Sequence, residues 1–121
     1  MATKITRQEL KAKLDAGKAL NLVEALPASY YQEKHLPGAL NLPLNQIEAL
    51  ASTLLPDKSA EVIVYCADDV CQNSSTAAKR LEALGYTNVR DYHEGKQDWV
   101  KAGLSTESGG VPAPATLPAT L

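Results

Sequence analysis

The sequence predicts an α/β domain in which a parallel sheet is covered by helices on both faces. Two observations predict it. Apolar runs of strand length (LNLVEA at 20–25, ALNL at 39–42, VIVY at 62–65) are separated by stretches whose apolar residues recur near a period of 3.6. Strands alternating with helices in this way point to a parallel sheet, and a length of 121 residues suits one domain with a single sizeable core.

Each element has a local reason. Thr6-Arg7-Gln8-Glu9 has the form of a capping box, and Leu10 and Leu14 then share a helical face that Gly17 brings to an end. Leu20, Leu22 and Val23 form a strand with no breaker. Pro27 opens a short helix carrying Tyr30 and Tyr31, since proline is tolerated at the first helical position. His35-Leu36-Pro37-Gly38 makes a turn, because proline presets one backbone angle and glycine permits φ > 0. A strand at 39–42 is followed by a helix starting at Pro43 or Asn45, carrying Ile47, Leu50, Ala51 and Leu54 and ended by Pro56. The 62–65 strand leads through a polar loop to a helix at 75–84, with Ser74 and Ser75 read as its caps. Gly85 stops that helix, Val89 lies in another short strand, and 95–101 forms a last helical segment around Trp99. Tyr30, Tyr31 and Trp99 are expected in the core or at its rim, and His35 is expected to pack in its turn with a local hydrogen bond.

Composition excludes several function classes. The formal net charge is −2 and no Lys/Arg cluster occurs, which argues against nucleic acid or an anionic membrane as partner. No apolar stretch reaches the roughly 20 residues that span a bilayer. The opening residues, MATKITRQELKAK, lack the apolar core of a secretory signal, so the expectation is a cytoplasmic location. The two cysteines, Cys66 and Cys71, do not make a disulfide framework, and in a reducing compartment such a pair is more often catalytic, metal-binding or redox-active. Metal is set aside because His35 and His93 show no ligand-pair spacing with them.

The functional signal lies in residues 61–85, EVIVYCADDVCQNSSTAAKRLEALG. Ligands of open parallel sheets bind at the carboxyl ends of the strands, and Cys66 occupies such an end. The loop after it is expected to aim amides inward and the next helix to add its positive dipole end, so that the thiol is stabilised as thiolate, its nucleophilic form.

In their order and spacing over residues 5–104, the stretches LVEALPASYYQEKHLPGALNLPL, VIVYC, SSTAAKRLEALGYTNV and HEGKQDW resemble the single-domain rhodanese-like sulfurtransferases. The resemblance implies a central, mostly parallel five-stranded sheet with helices on both faces, a domain over residues 1–104, and no cofactor. It implies that Cys66 accepts a sulfane sulfur as a persulfide and passes it to a thiol or other thiophilic acceptor, including a protein thiol. The active-site loop is Ala67, Asp68, Asp69, Val70, Cys71, Gln72 and Asn73, whose amides are expected to hold the terminal sulfur. Oligomeric state is not fixed by the sequence.

The departures bear on substrate. Where family members commonly place an Asp and then an Arg after the first strand, this chain has Glu24 and Leu26. Where the loop usually ends in Arg before Ser, Asn73 precedes Ser74. The usual glycine pair near the end is Glu94-Gly95. Phosphatases of the same fold need an Arg where this chain has Gln72, which removes that activity. Asp68 and Asp69 are either solvated loop residues or a device that repels a dianionic donor, and thiosulfate is expected to be a poor one. Cys71 is a resolving thiol, a secondary sulfur carrier or a loop filler. The rival functions are a non-catalytic binding module on this scaffold and a Cys66/Cys71 redox switch. Residues 105–121, STESGGVPAPATLPATL, are expected to form a disordered tail.

Overall fold

The computed structural model describes residues 3–109. Strands β1 (Thr3–Lys4), β2 (Asn21–Glu24), β3 (Leu40–Asn41), β4 (Val62–Tyr65) and β5 (Val89–Tyr92) form one sheet in the order β1-β5-β4-β2-β3, every pair parallel. Helices α1 (Arg7–Asp15), α2 (Ala28–Glu33), α3 (Ile47–Leu54), α4 (Asn73–Ala83) and α5 (Gly95–Lys101) connect and cover it. The five-stranded α/β architecture implied by the resemblance is the one observed.

The pleat explains why VIVY shows no polar alternation. Val62 and Val64 point to one face, where they pack with Ile47, Ala51, Leu55, Ala77, Ala78 and Leu81 of α3, α4 and the segment after α3. Ile63 and Tyr65 point to the other, among Leu10, Leu22, Tyr31, Leu36, Tyr92 and Trp99. A strand buried on both sides reads as a continuous apolar run. The cost of burying hydroxyls is met by carbonyls left over at a helix end: Tyr86 Oη donates to Ala51 O at 3.0 Å and Leu55 O at 2.6 Å, where α3 stops.

Local expectations are met at α1, where Glu9 N donates to Thr6 Oγ1 at 3.1 Å and Thr6 N donates to Glu9 Oε1 at 2.9 Å. His35 stacks flat on Tyr31 with ring centroids 3.8 Å apart and has Nδ1 2.7 Å from Tyr31 O. Four differences have physical causes. Strand β1 was not apparent in the sequence, being two exposed residues that gain their strand character only by pairing with Arg90 and Asp91. Pro43 opens a 3₁₀ turn, Leu44–Gln46, before α3. Helix α4 starts at Asn73, not at 75, so Ser74 and Ser75 are not its caps: Ser75 Oγ instead donates back to Gln72 O at 3.1 Å, and Ser74 is drawn into the interior.

The fourth concerns the expected tail. Residues 105–109, expected to be disordered tail, run as a strap across α2 and the turn behind it. Trp99 Nε1 donates to Ser105 O at 2.9 Å, His35 and Glu107 exchange backbone hydrogen bonds at 2.8 Å each, and Gly109 N donates to Gln32 O at 2.6 Å. Buried indole and backbone donors need acceptors, and this strap supplies them. The rest of the expected tail, 110–121, lies outside the described residues.

Candidate active site

Strand register assembles the floor of the site. Glu24, Tyr65 and Tyr92 are neighbours across β2, β4 and β5 at the carboxyl edge, one residue before Cys66. Tyr65 Oη donates to the buried Glu24 Oε1 at 2.7 Å and accepts from Leu36 N at 3.1 Å. Glu24 Oε2 lies 3.0 Å from Lys96 Nζ, which also donates to the carbonyls of Tyr30 and Lys34. Burial, with the Glu24 charge beside it, pushes the Tyr65 phenol far above its ordinary range, so Tyr65 stays a neutral donor.

Lys96 also reaches the active loop through its backbone. Lys96 N donates to Cys66 O and Gln97 N to Ala67 O, both at 2.8 Å, so the start of α5 holds Cys66 and the first loop residue. Gly95 makes that approach possible. Its φ is +78°, and a Cβ there would sit 2.8 Å from Asp68 N, 2.8 Å from Cys66 O and 3.0 Å from Ala67 C. Sequence inspection noted Glu24 and Gly95 only as departures from a pattern and gave Lys96 no role. The signal it lacked was distance: Lys96 and Glu24 are 72 positions apart.

Cys66 is fully buried beneath the loop, and its Sγ donates to Cys71 O at 3.4 Å. Burial first, and then a hydrogen bond with the Cys71 side chain, push the thiol up to about 11. That corrects the expectation of a stabilised thiolate. The loop places a carbonyl, not an amide, on the sulfur, and the Asp68 carboxylate takes two amides expected to face it, those of Val70 at 3.2 Å and Cys71 at 3.0 Å. The opposing pull comes from the Ser74 amide and hydroxyl, both of which favour the thiolate. Ser74 is itself buried and its Oγ has no conventional partner, so its hydroxyl is available to sulfur. The start of α4 is pinned separately, by Asn73 Nδ2 donating to Ala25 O at 3.0 Å. Asn73 is therefore an anchor, turned to the end of β2.

The predicted loop residues divide by position. Ala67, Asp68, Cys71 and Asn73 are half-buried, Asp69 and Gln72 are exposed, and Val70 at the tip is 80% exposed. Beside the loop lies a cavity of about 160 Å³ lined by Asp69, Glu94, Gln97, Asp98 and Lys101. Asp98 is neutralised by Arg7 at 2.8 Å and hydrogen-bonded by Tyr92 Oη at 2.7 Å, which leaves Asp69 and Glu94 as its acidic wall. Among the described residues, no group of three or more His, Cys, Asp or Glu could hold a metal ion, and no helix is long and apolar enough to cross a membrane.

A cysteine at the end of the central strand, under a loop that opens a helix, defines a domain built around one thiol. The chain belongs to the rhodanese-like domain family, whose pattern matches residues 6–102. Among solved structures it is similar to the BH2092 protein of Bacillus halodurans (TM-score 0.82, 25% identity, 88% of this chain and 77% of that one). It is also similar to a rhodanese of E. coli solved with anions (TM-score 0.64, 30% identity, 75% of this chain and 100% of that one). Among characterised relatives it is 30% identical over 105 residues to the HTH-type transcriptional regulator Rv0324 of Mycobacterium tuberculosis, covering 87% of this chain and 45% of that one. It is 38% identical over 61 residues to the thiosulfate sulfurtransferase PspE of E. coli, covering 50% of this chain and 57% of that one. The chain thus spans about half the length of these curated relatives.

Proposed function

We propose that the domain is a sulfurtransferase that carries a sulfane sulfur as a persulfide on Cys66 and delivers it to a thiophilic acceptor, a thiol above all. The observation that carries this reading is Cys66 at the carboxyl end of the central strand, buried under the loop that opens α4. The Cys66 thiolate attacks the sulfane sulfur of a donor, the donor's leaving group departs with the bonding pair, and an acceptor later takes the outer sulfur in a second displacement. The similarity to PspE supports sulfur transfer as the reaction class.

Thiosulfate is a poor donor in this reading. Its leaving sulfite is a dianion, the loop has a neutral anchor at Asn73 where an Arg would offset that charge, and Asp69 and Glu94, with Lys101 as the one cation, line the cavity beside the loop. A persulfide or polysulfide of lower charge fits better. Intact mass after incubation with each donor is the test: a gain of one sulfur on the wild type and none on Cys66→Ser supports the reading. An unmodified wild type with every donor would leave a binding module, and a loss of two hydrogens the redox switch.

A further inference from the structure

We propose that Cys71 is the outlet of the site: it takes the sulfane sulfur from the Cys66 persulfide and presents it to acceptors too bulky to reach Cys66. The proposal rests on the reading of Cys66 as the loaded residue and adds the route by which sulfur leaves.

The geometry points to it in three ways. Cys66 is sealed from solvent, whereas Cys71 is half-buried beside the exposed tip at Val70. The loop curls back so that Cys71 O lies 3.4 Å from Cys66 Sγ. Only the carbonyl carbon, Cα and Cβ separate that oxygen from the Cys71 sulfur, which limits the distance between the two sulfurs to roughly 8 Å. A persulfide bond of about 2.05 Å on Cys66 shortens the gap, and rotation of a half-exposed Cys71 side chain closes the rest. Finally, the curl is fixed: the Asp68 carboxylate holds the amides of both Val70 and Cys71. Asp68 is in this sense a positioning residue for Cys71.

The step balances without an oxidant. The Cys71 sulfur attacks the outer sulfur, the bond between that sulfur and Cys66 Sγ breaks, and Cys66 leaves with the electron pair and takes the proton given up by Cys71. The products are a Cys66 thiol and a Cys71 persulfide anion. Burial opposes a charge on Cys66, so moving the anionic sulfur outward is favoured by the same desolvation that holds Cys66 as a thiol.

The test uses the full chain loaded with inorganic polysulfide, blocked with an alkylating reagent and cut on the amino side of Asp68 and Asp69, which separates the two cysteines for mass spectrometry. The expected result is sulfur on both cysteines in the wild type, on Cys66 alone in Cys71→Ser, and on neither in Cys66→Ser. Transfer from the loaded protein to a cysteine-containing peptide should slow by at least about tenfold in Cys71→Ser, as expected when a displacement loses its built-in partner, while transfer to cyanide slows less. Cys71→Ala should match Cys71→Ser. Sulfur confined to Cys66 in the wild type, with peptide transfer unchanged by Cys71→Ser, overturns the relay and leaves the persulfide on Cys66 standing. Sulfur on Cys71 in Cys66→Ser overturns it by showing direct loading. Loss of two hydrogens with release of hydrosulfide also overturns it, because Cys71 would then have attacked the inner sulfur. No sulfur on any variant removes the proposal together with the reading beneath it.

Discussion

Replacing Gly95 by alanine tests whether α5 sets the position of the active loop. Two costs add. At φ +78° an L-residue is in the left-handed region, at a cost of about 1–2 kcal/mol. The new Cβ would also meet Asp68 N and Cys66 O at 2.8 Å and Ala67 C at 3.0 Å, all backbone atoms with no flexible end to swing aside. Overpacking of that kind costs about 1–3 kcal/mol, for a sum of about 2–5 kcal/mol. In a domain of this size each kcal/mol lowers Tm by roughly 4–8 °C, so a fall of about 10 °C or more is expected. Gly103→Ala is the control: its φ is +79° with nothing within 4 Å of the added Cβ, so it bears only the conformational cost. Thermal melts of both variants, with iodoacetamide labelling of Cys66 in the native state, form the assay. Gly95→Ala should melt well below Gly103→Ala and label faster, because the loop is pushed off the thiol. Equal melts and equal labelling would refute the argument that this contact is rigid.

Five further outcomes are expected. Because burial holds the Cys66 thiol at about 11, above its ordinary 9.0, the rate of alkylation or sulfur loading should rise close to tenfold per pH unit between pH 7 and 9; a plateau below pH 8 would contradict the assigned burial. The same shift favours the fold fully below pH 9 and is lost as pH rises toward 11, since only the unfolded chain then releases the proton; Ser74→Ala, which removes a group favouring the thiolate, should displace the rate profile to still higher pH. Lys96→Met leaves Glu24 buried without its cation and should destabilise by about 3–5 kcal/mol in denaturant titrations, with much of the loss recovered in the Glu24→Gln/Lys96→Met double variant. Asp69→Asn with Glu94→Gln should raise the second-order rate constant with thiosulfate by about tenfold at low ionic strength, an effect that salt erases; no change at low salt would dismiss the acidic wall as a selectivity element. Asp68 is left intact in that test because its carboxylate shapes the loop.

The sequence by itself determined the elements and their class. Capping at Thr6 and Glu9, the helical spacing of Ile47, Leu50, Ala51 and Leu54, and the doubly buried run VIVY are signals carried by neighbouring residues, so they survive without the fold. The place of Cys66 in the fold was legible for the same reason, since a strand end before a polar loop and a helix is a local pattern. Its chemistry was not. Whether Cys66 is a thiolate depends on how completely the loop excludes water and on which backbone dipole the curl turns toward sulfur, and a loop's curl is decided by contacts such as Asp68 with residues 70 and 71 and Gly95 against Cys66. The strap at 105–109 was illegible likewise, because Ser105 and Glu107 look like polar tail residues until Trp99 and His35 offer them partners. Strand β1 and the Glu24–Lys96 pair were invisible for one reason: each exists only when residues far apart in the chain meet, and hydrophobic periodicity records which face is buried without recording what lies against it.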